Sequence, residues 1–218
     1  ASIGQVLEKF QELDNMDDTI LRPPQKVRSE RTQKALYNAA CTLMHDYGYD
    51  YLTVQNICKL AGVTTGAFYH HFHSKDDILC LFLNKGYEAF IENRNVCLPE
   101  DPLARLTELC VLYAAHNESN GVEFVSNYYS TKNKSLNTIG LSPEDMYVSS
   151  NYRARYDSLM AAREAGQIPV DTDCVSLNED ICSLTKGIIF DWCLSNGGFD
   201  LTSRIRRMVD RFMSTYRI

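Results

Sequence analysis

Apolar residues recur along this chain at steps of three and four, the period of an α-helix. Ala35, Leu36, Ala39, Ala40, Leu43, Met44 and Tyr47 share one helical face, and Gly48 follows as a stop. Val54, Ile57, Cys58 and Ala61 repeat the pattern in a shorter helix, with Thr53 placed to cap it and Gly62 to end it. A third short helix is predicted from about 65 to 72, with Thr64 as its cap. Ser74 then opens a long helix whose first turn carries Asp76 and Asp77, the charge that suits a helix N-terminus. Further helices are expected at about 76–94, 102–118, 121–134, 143–166, 172–196 and 201–217. Pro102 and Pro143 stand where first-turn prolines belong, and Gly166 with Pro169, and Gly197-Gly198, act as breakers. No segment sustains strand alternation, so the predicted class is all-α.

With 218 residues the chain has room for one large domain or two smaller ones. Three segments are expected. Residues 1–25 form an extension expected to be a mobile tail, with a short docked helix on Ile3, Val6, Leu7, Phe10 and Leu13 as the minority alternative. Pro23-Pro24 separates it from a module at 26–75, and a larger helical body follows at 76–218.

Charge changes the picture locally. The whole chain has 22 basic and 28 acidic residues, a net charge of −6, which excludes a uniformly basic nucleic-acid coat. Residues 26–75, however, hold six basic residues (Lys26, Arg28, Arg31, Lys34, Lys59, Lys75) against Glu30, Asp46 and Asp50. Four of the five histidines also fall there. A mildly basic module on an acidic body is the footprint of a local nucleic-acid contact. No apolar run reaches membrane-span length and no signal-like leader is seen, so a cytoplasmic protein without membrane contact is expected. The eight cysteines lie mostly within apolar helical patterns without a C-x-x-C pair, and are read as reduced thiols.

The stretch from Leu52 to Phe72 reads as helix, tight Gly-containing turn, helix. This is a helix-turn-helix, whose second helix enters the major groove. Phe68 and Phe72, four apart, should pack inward. Thr65, Gly66, Ala67, Tyr69, His70 and His71 are left to face a partner. Small residues at the N-terminal end permit close approach to base edges, and Tyr69 and the histidines can bond phosphates.

At this point the chain resembles the TetR family of one-component transcriptional regulators. The resemblance rests on Leu52-Thr53 through Leu60-Ala61-Gly62-Val63-Thr64, then Gly66-Ala67-Phe68-Tyr69-His70-His71-Phe72, then Ser74-Lys75-Asp76-Asp77-Ile78-Leu79. It implies a homodimer on double-stranded palindromic operator DNA, a ligand pocket in the C-terminal body, and dimerisation through the last two helices. By position, Thr53 would cap and touch phosphate, and Gln55 would reach a base. Thr64, Thr65, Gly66, Ala67 and His71 fall at groove-facing positions. Tyr69, His70 and Lys75 fall at positions used mainly for backbone contacts. Thr65 stands where the family often has Lys or Arg. Asn56 stands where an acid is common, which leaves an imperfect capping box.

Other functions find little support. No Glu-x-x-His pair, G-x-S-x-G or G-x-x-x-x-G-K occurs, so neither an enzyme nor a cofactor is expected. His70, His71, His73, Asp76 and Asp77 suggest a metal cluster. Consecutive helical histidines point about 100° apart, however, and the groove face explains them without a metal. A helical adaptor without DNA binding, or a TetR-like activator, are the alternatives.

In the body, Phe90, Tyr113, His116, Phe124, Tyr128, Tyr152, Lys186 and Phe190 are the candidate ligand residues. Aromatics with polar ends and one embedded cation suit a largely apolar small-molecule effector with one polar or anionic end. The candidate dimer interface is Ile181, Leu184, Ile188 and Trp192 with Leu201, Ile205, Met208, Val209, Phe212 and Tyr216, two apolar stripes that would form a four-helix interface.

Overall fold

The computed structural model describes residues 25–130, 133 and 150–218. Residues 1–24 of the extension read at 1–25, the last part of the helix expected at 121–134 and the first part of that at 143–166, with Pro143, lie outside the described residues, and Gln25 belongs to the first helix. Those described form nine α-helices and one 3-10 turn, with no strand among them. The chain divides into two compact units, the first ending at Ala89 and the second running from Phe90 to Ile218.

In the first unit, α1 spans Gln25–Tyr47, a 3-10 turn Tyr49–Tyr51, α2 Val54–Ala61 and α3 Thr65–His71. Helix α4, Lys75–Asn93, carries the chain on into the second unit. Helix α1 starts well before its apolar stripe, because Gln25 to Lys34 holds polar helix formers and no breaker. It packs on α2 and α3. Leu36, Leu52, Ile57 and Phe68 are fully enclosed, and Phe72 lies with its ring 5.6 Å from that of Phe68.

Local chemistry sets the helix ends. Thr53 accepts from the Asn56 backbone N–H at 3.2 Å, and Gly62 closes α2 in the left-handed conformation at φ 67°. Its neighbour Val63 donates back to the Cys58 carbonyl at 3.0 Å, the six-residue closure of a Schellman turn. The Asn56 amide donates to the Tyr51 carbonyl at 2.9 Å, a bond no acid could make. At α4, Ser74 Oγ accepts from the Asp76 N–H at 3.2 Å, while Asp77 accepts from the His73 and Ser74 N–H groups at 2.7 and 3.3 Å. The two side chains thus satisfy the helix start reciprocally.

The second unit contains α5 Pro102–Asn120, α6 Val122–Tyr128, α7 Ser150–Glu164, α8 Cys174–Leu194 and α9 Leu201–Met213. Helix α5 is apolar on several faces and is the central helix, packing against α6, α7 and α9, while α8 packs on α6, α7 and α9. Asp101, Asp173 and Asp200 cap α5, α8 and α9. Polar bonds fasten α5 to α9: Thr107 Oγ1 donates to Asp210 at 2.8 Å, Glu118 accepts from the Leu201 N–H at 3.1 Å, and Arg206 pairs with Glu108 at 2.6 Å. Helix α6 stops at Tyr128, short of the expected 134. The buried Asn133 amide takes the Tyr128 carbonyl at 2.9 Å, and its N–H takes the Ser130 carbonyl. No described helix is long and apolar enough to cross a membrane.

Candidate nucleic-acid interface and ligand site

Helices α2 and α3 with the turn between them form the helix-turn-helix. Thr64 caps α3, accepting from the Ala67 N–H at 3.2 Å. The Cys58 thiol ties α2 to the turn through the Thr64 carbonyl. Because Phe68 and Phe72 are drawn into the core, the opposite face of α3 is turned outward. There Thr64, Thr65, Gly66, Tyr69 and His70 are exposed, and Ala67 and His71 half-buried. Gln55 is exposed on α2, and Thr53 is half-buried with its oxygen engaged as a cap.

Gly66 is exposed on this face. A Cβ built there would meet only Thr64 Oγ1, at 3.7 Å, an ordinary contact. Nothing within the unit requires a glycine, and glycine inside a helix costs roughly 0.5–1 kcal/mol relative to alanine.

A cleft of about 490 Å³ runs between the first turns of α1 and α3, lined by Gln25, Arg28, Ser29, Thr32, Ala67, His70 and His71. Ser29 and Thr32 were not singled out in the sequence, where their turn has no apolar periodicity, and Arg28 entered there only as part of the basic charge of residues 26–75. The cleft adds a guanidinium and two hydroxyls to the α3 face. His70 and His71 stack edge to face at 5.1 Å, and burial, with the neighbouring His70, holds the His71 pKa below its ordinary value. The Lys75 ammonium lies 4.2 Å from the centre of the Tyr49 ring. Among the described residues no group of three His, Cys, Asp or Glu side chains is placed to hold a metal ion.

In the second unit, Phe90, His116, Phe124, Tyr128 and Tyr152 are buried, Tyr113 and Lys186 half-buried, and Phe190 is 41% exposed. The Phe90 and His116 rings lie 5.4 Å apart, and the Tyr113 and Tyr129 hydroxyls 3.1 Å apart. Sequence reasoning placed the embedded cation at Lys186; the cation fully enclosed in the bundle is Arg155, 2% exposed. Its Nη2 donates to Cys182 Sγ at 3.2 Å, and its Nε has no acceptor among the described residues. The signal was present: Tyr152, Arg155, Leu159 and Ala162 step by three, four and three, which puts Arg155 on the buried stripe of α7.

The candidate dimer residues separate by burial. Ile181, Ile188, Trp192, Leu201, Ile205 and Val209 are buried within the chain itself, while Leu184, Met208, Phe212 and Tyr216 are half-buried. Phe190 and Leu194 stand exposed on α8.

This is an all-α protein with an N-terminal helix-turn-helix module and a helical C-terminal domain. Residues 36–80 match the family model described as bacterial regulatory proteins, tetR family. It is 40% identical over 60 residues to the uncharacterized HTH-type transcriptional regulator YwcC of Bacillus subtilis, covering 28% of this chain and 27% of that one. The chain thus matches about a quarter of that relative's length. At 23% identity over 198 residues it matches a probable acrEF/envCD operon repressor of Escherichia coli, covering 88% of this chain and 89% of that one. Among solved structures it is similar to Thermus thermophilus FadR, a TetR-family transcriptional repressor in complex with lauroyl-CoA. The TM-score is 0.63 and the identity 17%, over 84% of this chain and 93% of that one.

Proposed function

We propose that this protein is a ligand-responsive, DNA-binding transcriptional regulator. It acts as a repressor that binds a palindromic operator as a homodimer and is released by a small, largely apolar ligand. The observation that carries the reading is the outer face of α3: small at its N-terminal end, free of any packing need for Gly66, with Tyr69 exposed on it and Arg28 in the adjoining cleft, which with Lys75 would serve as phosphate partners. Thr65, Gly66 and Ala67 approach base edges, and Gln55 reaches a base from α2. A repressor is favoured because the relative aligned along most of the chain is named as one. The buried aromatic residues of the second unit and the acyl-CoA bound by a fold neighbour favour an effector with an apolar body.

Selection from a random duplex library, followed by anisotropy titration of the enriched sequence, tests this. The expected result is a two-fold symmetric site bound at least about a thousandfold tighter than scrambled duplex, with affinity falling steeply as salt rises. Failure to enrich any sequence over the starting pool would overturn it.

A further inference from the structure

We propose that Arg155 is the anchor for a carboxylate on the effector, so that the ligand is a free organic acid with an apolar body rather than a neutral lipid or an acyl thioester. The inference rests on the ligand-responsive reading above and names the chemistry of its site.

Arg155 projects from α7 into the centre of the second unit and is enclosed. A guanidinium keeps its charge at every physiological pH and has five N–H groups to satisfy. Buried charges are ordinarily matched by an opposite charge. Among the described residues no carboxylate pairs with Arg155. Cys182 on α8 accepts from Nη2, and Cys110 and Tyr113 on α5 lie close enough to interact. Nε has no acceptor among the described residues. Burial works against the Arg155 charge, and the Cys182 and Cys110 sulfurs outweigh that and hold its pKa above the ordinary value. Desolvation keeps the Tyr113 and Tyr129 phenols protonated, so they can donate as well as accept.

The centre is therefore rich in donors and short of negative charge. A carboxylate supplies what is missing, because its two oxygens match the guanidinium fork while a phenol donates to a remaining lone pair. An alcohol or thioester carbonyl brings an acceptor without the charge. A polyphosphate brings more charge than one enclosed guanidinium can match.

The test uses the full chain without DNA, so that it reads the ligand site independently of operator binding. Thermal stabilisation and calorimetric affinity are measured for octanoate, dodecanoate and phenylbutyrate, for the corresponding alcohols, and for lauroyl-CoA. In the wild type, at least one acid should bind about tenfold or more tighter than its alcohol. In Arg155→Met the preference should fall to within about twofold while the alcohol still binds. Arg155→Lys should retain part of it, since charge remains without the fork. If Arg155→Met does not fold, the acid-to-alcohol ratio in the wild type decides alone. Equal binding of acid and alcohol, tighter binding of lauroyl-CoA than of dodecanoate, or no binding by any acid would overturn the assignment. Operator release by the same acid is then measured separately. Failure to bind operator without ligand, or to release it when the acid binds, with acid binding intact, would count against the regulator reading and leave the carboxylate site standing.

Discussion

Lys75 and Tyr49 form a cation–π pair, the ammonium 4.2 Å from the ring centre. Tyr49 belongs to the 3-10 turn that follows α1, so the ring holds the side chain at the start of α4 near the helix-turn-helix. If Lys75 contacts a phosphate, Lys75→Ala should weaken binding to all duplexes about equally and lower the salt slope by about 1. Tyr49→Leu removes only the positioning. It should weaken binding by about 0.5–1 kcal/mol with an unchanged slope. Titrations at four or five salt concentrations separate the two effects.

Gly66 sets stability against function. Because an added Cβ meets only Thr64 Oγ1 at 3.7 Å, Gly66→Ala should raise stability by about 0.5–1 kcal/mol. The same methyl group would stand between α3 and the base edges, so operator affinity should fall. A variant that is more stable in denaturant and binds operator as well as the wild type would remove Gly66 from the interface.

The pH dependence of binding has a definite sign. His71 titrates below its ordinary value in the free protein because of burial and of His70. A phosphate beside it in the complex would raise its pKa, so binding would take up a proton and strengthen as pH falls. The gain begins near the pKa of the complex and levels off below that of the free protein, which places the window from neutrality down to below pH 6.5. His70→Gln and His71→Gln, measured at fixed salt, divide the effect between the two rings lining the cleft. Affinity that stays flat from pH 8 to pH 5.5 would exclude a phosphate contact by either.

The two apolar stripes of α8 and α9 should respond differently to substitution. Ile205 is fully enclosed within the chain, so Ile205→Ala should destabilise the fold by about 2–4 kcal/mol. Phe190 and Leu194 are exposed, and Leu194 is 70% accessible. If the dimer forms instead on the exposed face of α8 that Phe190 and Leu194 share, opposite the buried stripe, Phe190→Asp with Leu194→Asp should give a monomer of nearly unchanged thermal stability at low concentration. Sedimentation velocity at micromolar concentration reads the outcome, and a wild type that is already monomeric there would exclude the interface.

Much of the local structure could be read directly from the residues. Thr53 and Gly62 mark the ends of α2, Thr64 the start of α3 and Ser74 the start of α4, because caps and left-handed turns are short-range chemistry carried by the residues that make them. The four-residue spacing of Phe68 and Phe72 was likewise enough to say which side of α3 faces outward. The sequence by itself therefore determined the all-α class, the helix-turn-helix and the outer face of α3. Periodicity could not say which partner covers an apolar stripe: Ile181, Leu201, Ile205 and Val209 have the same pattern whether they meet their own chain or another. Periodicity puts Arg155 on the apolar stripe of α7, but it could not say that this stripe would enclose a charge more fully than the helix carrying Lys186. Both lie within helices carrying buried apolar residues, and the difference between 2% exposure and half-burial arises only when α5, α7 and α8 converge on one of them. Burial is a property of what several distant segments do together, and for Arg155 it was decided by the tertiary structure, which packed three helices around a charge and left its Nε without an acceptor among the described residues.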